Sequence, residues 1–272
     1  WYPTDRMMHA PDDQECWGVK WRAGTSNFRT VDELFTKRNL WALAVIRNGI
    51  QSDSHLLLAF NSVLLNSSKL YRNREGGGGG STGNYYIAQE NREMNVWNQF
   101  ESKVSEYLRI KSQWCTSVIV STESAIRMAT IKNSSVDYIF TDPPYAEKDQ
   151  YGELNFIWEA WLGFDTHWHD EEIIVNEIRG KTVQDWEAMM RMAMSECHRV
   201  LKPGRWLSLC YHDTSEGTWT LVQDIMAEIG FLPDKSESTL YIDTGQKSYN
   251  QQRADKVNKR DLVINFRKPK PG

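Results

Sequence analysis

Val136-Asp137-Tyr138-Ile139-Phe140-Thr141-Asp142-Pro143-Pro144-Tyr145 is the stretch on which the reading of this chain turns. Four of its first six residues are large β-branched or aromatic apolar types, so 136–141 predicts a buried strand. Asp142 then stands at the carboxyl end of that strand, where open α/β sheets place their chemistry. The Asp142 carboxylate and a carbonyl of the proline pair can accept hydrogen bonds from an exocyclic amino group. Pro143 and Pro144 fix φ and remove N–H donors, which holds those acceptors in a rigid turn. The Tyr145 ring can stack on a planar base, a contact worth about 1–3 kcal/mol.

Outward from this stretch, strands and helices alternate. Strands are expected at 116–120, 136–141, 205–211, 240–242 and 262–266. Helices are expected at 123–131, 153–162, 182–200 and 217–229, the last stopping at Gly230. Lys202-Pro203-Gly204 reads as the turn into strand 205–211. This rhythm implies an α/β region over 113–272, a doubly wound, largely parallel Rossmann-like sheet. Residues 1–112 read as a mainly helical region. Thr30-Val31-Asp32-Glu33 fits a capping box that opens a helix ending at Asn48-Gly49. A second helix is expected over about 54–65. Val96, Phe100, Val104 and Leu108 recur every four residues and argue a third over about 95–110. Residues 72–83 contain five consecutive glycines, whose ordering entropy argues a flexible loop. With Arg72 and Arg74 beside it, that loop reads either as part of a target-recognition insertion or as a simple linker.

The Asp-Pro-Pro-Tyr motif after a strand resembles the S-adenosylmethionine-dependent amino-methyltransferases, and among them is most similar to adenine-specific DNA methylases. Ser121-Thr122-Glu123-Ser124-Ala125 after Val118-Ile119-Val120 resembles the family's strand end beside the cofactor adenine. Tyr151-Gly152-Glu153-Leu154 resembles the segment after the motif, and Arg199-Val200-Leu201-Lys202-Pro203-Gly204 the helix-to-strand turn. The similarity covers about residues 115–266. It implies a methyltransferase sheet whose last strands pair antiparallel, S-adenosylmethionine as cofactor, DNA as partner, and methylation of an exocyclic base nitrogen, adenine N6 first. Carried onto this sequence, Asp142, Pro143, Pro144 and Tyr145 are the catalytic set. Glu123, Ser124, Thr141 and Asp142 would meet the cofactor, and Tyr145, Tyr151 and Glu153 the target base. Ser124 reads equally as an ordinary helix cap, and Glu153 as a helix-start carboxylate placed by the dipole.

The chain departs from the family at the glycine-rich turn that holds the cofactor's amino-acid end, since no such turn follows an apolar strand here. The sequence-level expectation is that a missing N-terminal segment or a partner chain supplies it. Three rival activities share the motif's chemistry: cytosine N4 methylation, RNA guanine-N2 methylation and protein-glutamine methylation. A non-catalytic nucleic-acid-binding fragment is the reading from a different class.

Composition bounds the rest. A chain of 272 residues with 40% hydrophobic content can bury a substantial core. A net charge of −4 does not announce a nucleic-acid binder, and the 12 tryptophans are expected chiefly in packing. The basic C-terminal stretch (Arg253, Lys256, Lys259, Arg260, Arg267, Lys268, Lys270) reads as a phosphate-contacting edge or a solvated face. Cys16, Cys115, Cys197 and Cys210 lack metal-site spacing, so no metal is expected and reduced thiols in a cytoplasmic protein are. His167 and His169 among Asp165, Asp170, Glu171 and Glu172 read as a solvated acidic loop. Tyr211-His212-Asp213 ends a strand on the side of Asp142. No apolar run is long enough to span a membrane.

Overall fold

Strand β3 (Val136–Thr141) lies parallel to β4 (Leu201–Tyr211), and the two define the edge on which Asp142 sits. The structure is a computed structural model that describes residues 1–7, 28–50, 53–73, 79–80, 90–110, 118–144, 146, 150–165, 167–176, 179–211, 216–234, 240–242 and 261–271. It divides into two compact units, Trp1–Ile119 with Gln150–Glu172, and Val120–Asp149 with Ile173–Gly272.

In the second unit the sheet order is β3-β4-β7-β5, with β5 (Leu232–Pro233), β6 (Leu240–Ile242) and β7 (Asp261–Arg267). β7 runs antiparallel to β4, and β5 and β6 both pair antiparallel with β7. The class is therefore α/β with a mixed sheet, and the late strands pair as the resemblance implied. Among the described residues, parallel pairing is confined to β3 and β4. Alternate residues of β4 (Leu207, Leu209, Tyr211) enter one core. They meet Trp186, Met190 and Met194 of α5 (Val183–Val200) and Val222, Ile225 and Met226 of α6 (Glu216–Ile229). Thr182 caps α5 in a full capping box with Asp185, and Gly230 ends α6 with φ +98°.

β4 begins four residues earlier than its sequence pattern suggests, because Lys202-Pro203-Gly204 is a bulge within the strand and not a turn before it. Val136 pairs with Leu201, yet Tyr138 pairs with Trp206. Gly204 has φ +77°, and a Cβ there would lie 3.0 Å from the Lys270 side chain. The adjacent Lys268 turns inward and donates to the carbonyls of His198 (2.7 Å) and Leu201 (2.8 Å). Arg267 lies over the Trp206 ring. These three cations of the basic stretch are thus engaged with the fold; residues 253–260 lie outside the described residues.

The first unit is helical, with α1 (Lys37–Ile50), α2 (Ser54–Leu64), α3 (Val96–Ile110) and α4 (Tyr151–Leu162). The capping box expected at Thr30 does not form. Val31–Leu34 is a 3-10 turn, Phe35 is extended, and Thr30 makes no side-chain cap bond. Thr36 Oγ1 instead accepts from Asn39 N at 3.2 Å and starts the helix six residues later. Asp53 caps α2 through His55 N and Leu56 N. Part of the expected loop 72–83 is ordered, since Tyr71–Arg72 (β1) pairs with Gly79–Gly80 (β2).

α4 follows the motif in sequence, but its apolar face belongs to the helical unit. Phe156, Ile157, Ala160 and Trp161 join Leu43, Phe60 and Val63 in one core. Trp161 meets Phe35 and Phe60 edge to face. The helical unit therefore reclaims 150–172, a return that the sequence boundary near residue 112 does not contain.

Candidate functional site

β3 ends at Thr141, paired with Leu209 of β4, and because the strands are parallel Asp142 and Tyr211 come to the same edge of the sheet. His212 and Asp213 lie outside the described residues. Asp142 is exposed, Pro143 is buried, and Thr141 and Pro144 are half-buried. The turn is anchored at its far side too. Ala146 adopts φ +49°, packs against the sheet core, and accepts from Val175 N at 3.2 Å. A non-glycine residue in the left-handed region costs energy and persists only where its surroundings hold it. The motif is thus held by β4 before Asp142 and by the Ala146–Val175 bond after Pro144, with Asp142 exposed between them. Nothing in an alanine announces this conformation from sequence. Tyr145 lies outside the described residues.

The segment expected to meet the cofactor differs from its prediction. Residues 118–120 form no strand, and Ile119 and Val120 are 96% and 88% exposed. Their β-branched side chains favour a pleated sheet only when a partner strand and a packed face exist, and none is described for them. Residues 123–131 form successive turns, not a helix. The Glu123 carboxylate accepts from Thr130 N (3.1 Å) and Thr130 Oγ1 (2.6 Å) across this loop. The Thr130 hydroxyl holds the Glu123 carboxyl below its ordinary range. Ser124 is exposed, and its carbonyl accepts from Arg127 N at 3.0 Å. It is this carbonyl, not a side-chain cap, that closes the single turn to Arg127.

Tyr151 and Glu153 stand in the first turn of α4, in the helical unit. Tyr151 is half-buried and Glu153 is only 1% exposed. The expected solvated loop 165–172 is also a correction. His167–Glu171 is a 3-10 helix that folds back on α4. His169 and Glu172 are buried at 2% and 5% exposure. His169 Nε2 meets Glu159 Oε2 at 2.8 Å, and Gly152 N donates to Glu172 Oε1 at 2.9 Å. Gly152 makes this approach possible, because a Cβ there would lie 2.9 Å from Glu172 Oε2 and from His169 Cγ. The polar residues of 165–172 suggested water; the missing side chain at Gly152 admits two of them to the interior.

Two cysteines are described, both as free thiols. Cys210 is buried, and burial pushes the Cys197 thiol up to about 11. Among the described residues no helix is long and apolar enough to cross a membrane.

No protein-family model matches the chain, and no curated protein matches it. Solved structures do. One is a candidate DNA modification methylase of Thermus thermophilus complexed with S-adenosylmethionine, at 16% identity over 56% of this chain and 55% of that one, TM-score 0.33. Another is an S-adenosylmethionine-dependent methyltransferase of Methanosarcina mazei, at 12% identity over 62% and 79%, TM-score 0.33. A cyclase matches as well, at 11% identity over 63% and 64%, TM-score 0.33. This chain spans about half the length of the Thermus structures it matches.

Proposed function

We propose that this chain acts in methyl transfer from S-adenosylmethionine to the exocyclic amino group of a base in DNA, adenine N6 first. The observation that carries the reading is the Asp142-Pro143-Pro144 turn: an exposed acid at the carboxyl end of a parallel strand, before a buried proline, with both flanks held. An aromatic amine has its lone pair delocalised into the ring and is a poor nucleophile. Acceptors at Asp142 and at the proline carbonyls would hold both amino hydrogens and favour a pyramidal nitrogen. That contribution is positioning and electrostatic stabilisation, with no covalent enzyme intermediate. S-adenosylmethionine supplies the electrophilic methyl group. The residues for its adenine end would be Thr141 and Asp142. The loop at Glu123 and Ser124 is tied through Arg199 to the amino end of β3, the opposite end of the strand from Asp142, and offers no support for the cofactor contact that the resemblance implied. A base within a duplex would have to leave the stack to reach Asp142. Tyr145 would stack on it.

The test is transfer of tritiated methyl groups to DNA. Asp142→Ala is expected to reduce it below about a tenth of the parent rate, a barrier increase above ~1.4 kcal/mol, with circular dichroism unchanged. Retention of more activity than that removes the assignment. Digestion of the labelled DNA to nucleosides separates adenine from cytosine.

A further inference from the structure

The sheet of the second unit has two unlike faces. On one, Ile139, Leu207, Leu209 and Phe266 pack against α5 and α6. On the other, strand register sets a row of side chains across four strands. Tyr138 of β3 lies beside Trp206 of β4, Trp206 lies opposite Arg267 of β7, and Arg267 lies opposite Leu232 of β5. Two residues nearer Asp142, Phe140 lies beside Ser208, and Ser208 opposite Asn265. Tyr138 and Phe140 stay out of the core and are 53% and 59% exposed, and Arg267 is exposed with them.

Tyr138 is held in place. Its hydroxyl donates to Ser208 Oγ at 2.7 Å, and Ser208 donates to Asn265 Oδ1 at 2.5 Å, a chain across three strands. The polar tip is thus engaged within the sheet while the ring stays open. Arg267 lies 5.7 Å over the Trp206 ring. The covered face carries mainly branched aliphatic side chains; this one carries rings, a hydroxyl, an amide and a guanidinium. A protein layer laid over it would bury the Arg267 charge, which costs unless an acid comes with it. A nucleic-acid strand meets the same groups without that cost, because bases stack on aromatic rings of a sheet face and phosphate pairs with the guanidinium. The one charge on these positions is positive, on a chain whose net charge is −4.

We infer that this face binds a single strand of DNA, with bases stacked on Tyr138 and Phe140 and the backbone met by Arg267. Phe140 precedes Asp142 by two residues, about 7 Å of extended chain, so a strand stacked here leads to the acid that would hold the target base. The choice of DNA rests on the proposed function. The stacking itself does not, since a ring accepts any base, including one with no amino group to methylate.

The test is binding of a fluorescein-labelled thymidine oligomer to the full chain, read by fluorescence anisotropy. Thymine has no exocyclic amino group, so this probe reports the stacking face and not the methylation site. Tyr138→Ala and Phe140→Ala are each expected to raise Kd by about fivefold or more, with circular dichroism unchanged because both side chains are more than half exposed. Phe140→Trp should keep the affinity, and Phe140→Leu should lose it, because stacking needs a π face whereas contact with protein needs only apolar volume. That pair stands in if an alanine variant does not fold. Arg267→Gln should lower the slope of log Kd against log salt by about 0.7, one phosphate contact on a single strand. No binding by the parent, Phe140→Leu within about twofold of the parent, or tighter binding of a uridine oligomer overturns the inference. So does a dimer in analytical ultracentrifugation that Phe140→Ala dissociates, which gives the face to a second copy of the chain. In each of these cases loss of methyl transfer in Asp142→Ala still leaves the proposed function standing.

Discussion

Asp142 and Gly152 show how differently single residues reveal their roles. An acid before two prolines carries its own geometry, because φ is fixed by a ring whatever surrounds it. Gly152 carries no such sign. Its role is to be absent, leaving room for His169 and Glu172. Gly152→Ala is expected to destabilise the helical unit by about 1–3 kcal/mol, since buried atoms at 2.9 Å must shift. Urea unfolding followed by circular dichroism measures it, and a change near zero would mean that the His169 side of α4 yields freely. At Tyr145 the proposed function predicts a contrast. Tyr145→Ala should weaken binding of an oligonucleotide with an unpaired adenine by about 1–3 kcal/mol, whereas Tyr145→Phe should largely keep it, because stacking needs the ring and not the hydroxyl. Equal losses in fluorescence-anisotropy titrations would assign the hydroxyl instead.

At the scale of elements, caps and partners decided what formed. Thr36 begins α1 because its hydroxyl meets Asn39 N, and a bond to Glu93 also engages that hydroxyl. Thr30 fits the same cap pattern, but the extended Phe35 interrupts the helix before it can propagate. Thr182 succeeds where Thr30 fails, since Asp185 returns the bond to the Thr182 N–H at 2.8 Å. That reciprocal pair also holds the Asp185 carboxyl below its ordinary range, through the Thr182 hydroxyl first and its amide second. Thr182→Ala is expected to cost about 0.5–2 kcal/mol. A thermal-melt series with Asp185→Asn should show the two losses to be less than additive, and strict additivity would argue against a shared box. The 123–131 segment is the counter-case. Its sequence reads as a helix, but Glu123 bonds across to Thr130 and Arg199 occupies the carbonyls of Met128 and Ile131. Interactions with a distant helix end override local preference.

At the scale of the molecule, the sheet-bearing unit contains a titrating group that couples folding to pH. His198 sits in the last turn of α5, edge-on to Phe231, and its Nε2 is buried without a hydrogen-bond partner. Burial first, and Lys268 second, lower its pKa below 6.5. A base with a lowered native pKa is protonated more readily in the unfolded chain. The native state is therefore not penalised above 6.5, and stability is lost as pH falls below that value toward the native pKa. The lowered carboxylates Glu123, Asp137, Asp185 and Glu196 act in a more acidic window, below their ordinary values of 3.8 to 4.5. Unfolding midpoints in urea are expected to drop as pH falls through and below 6.5, and His198→Gln should flatten that drop. Identical slopes for parent and variant would place the titration elsewhere.

Strand β3 in its position, the Asp142 turn, α5, α6 and the late strand β7 were legible along the chain, within a residue or two; the burial expected of β3 was not found, since Tyr138 and Phe140 are exposed. Each rests on local causes: β-branched runs, proline rings, apolar spacing at 3.6 residues, a glycine past a helix end. The assignment of α4 to the helical unit was not legible, because its apolar face matches either core and only packing against Phe35 and Phe60 chose one. The burial of His169 and Glu172 was not legible either, because polarity reports the side chain and not the cavity that Gly152 leaves for it. Nor was the brace from Arg199 to Met128 and Ile131, a contact about seventy residues apart along the chain. Local sequence determined which residues could carry the chemistry, since backbone rings and side-chain groups act within a few bonds. The tertiary structure decided which of them are held in place, since that depends on contacts between segments that the linear order does not bring together.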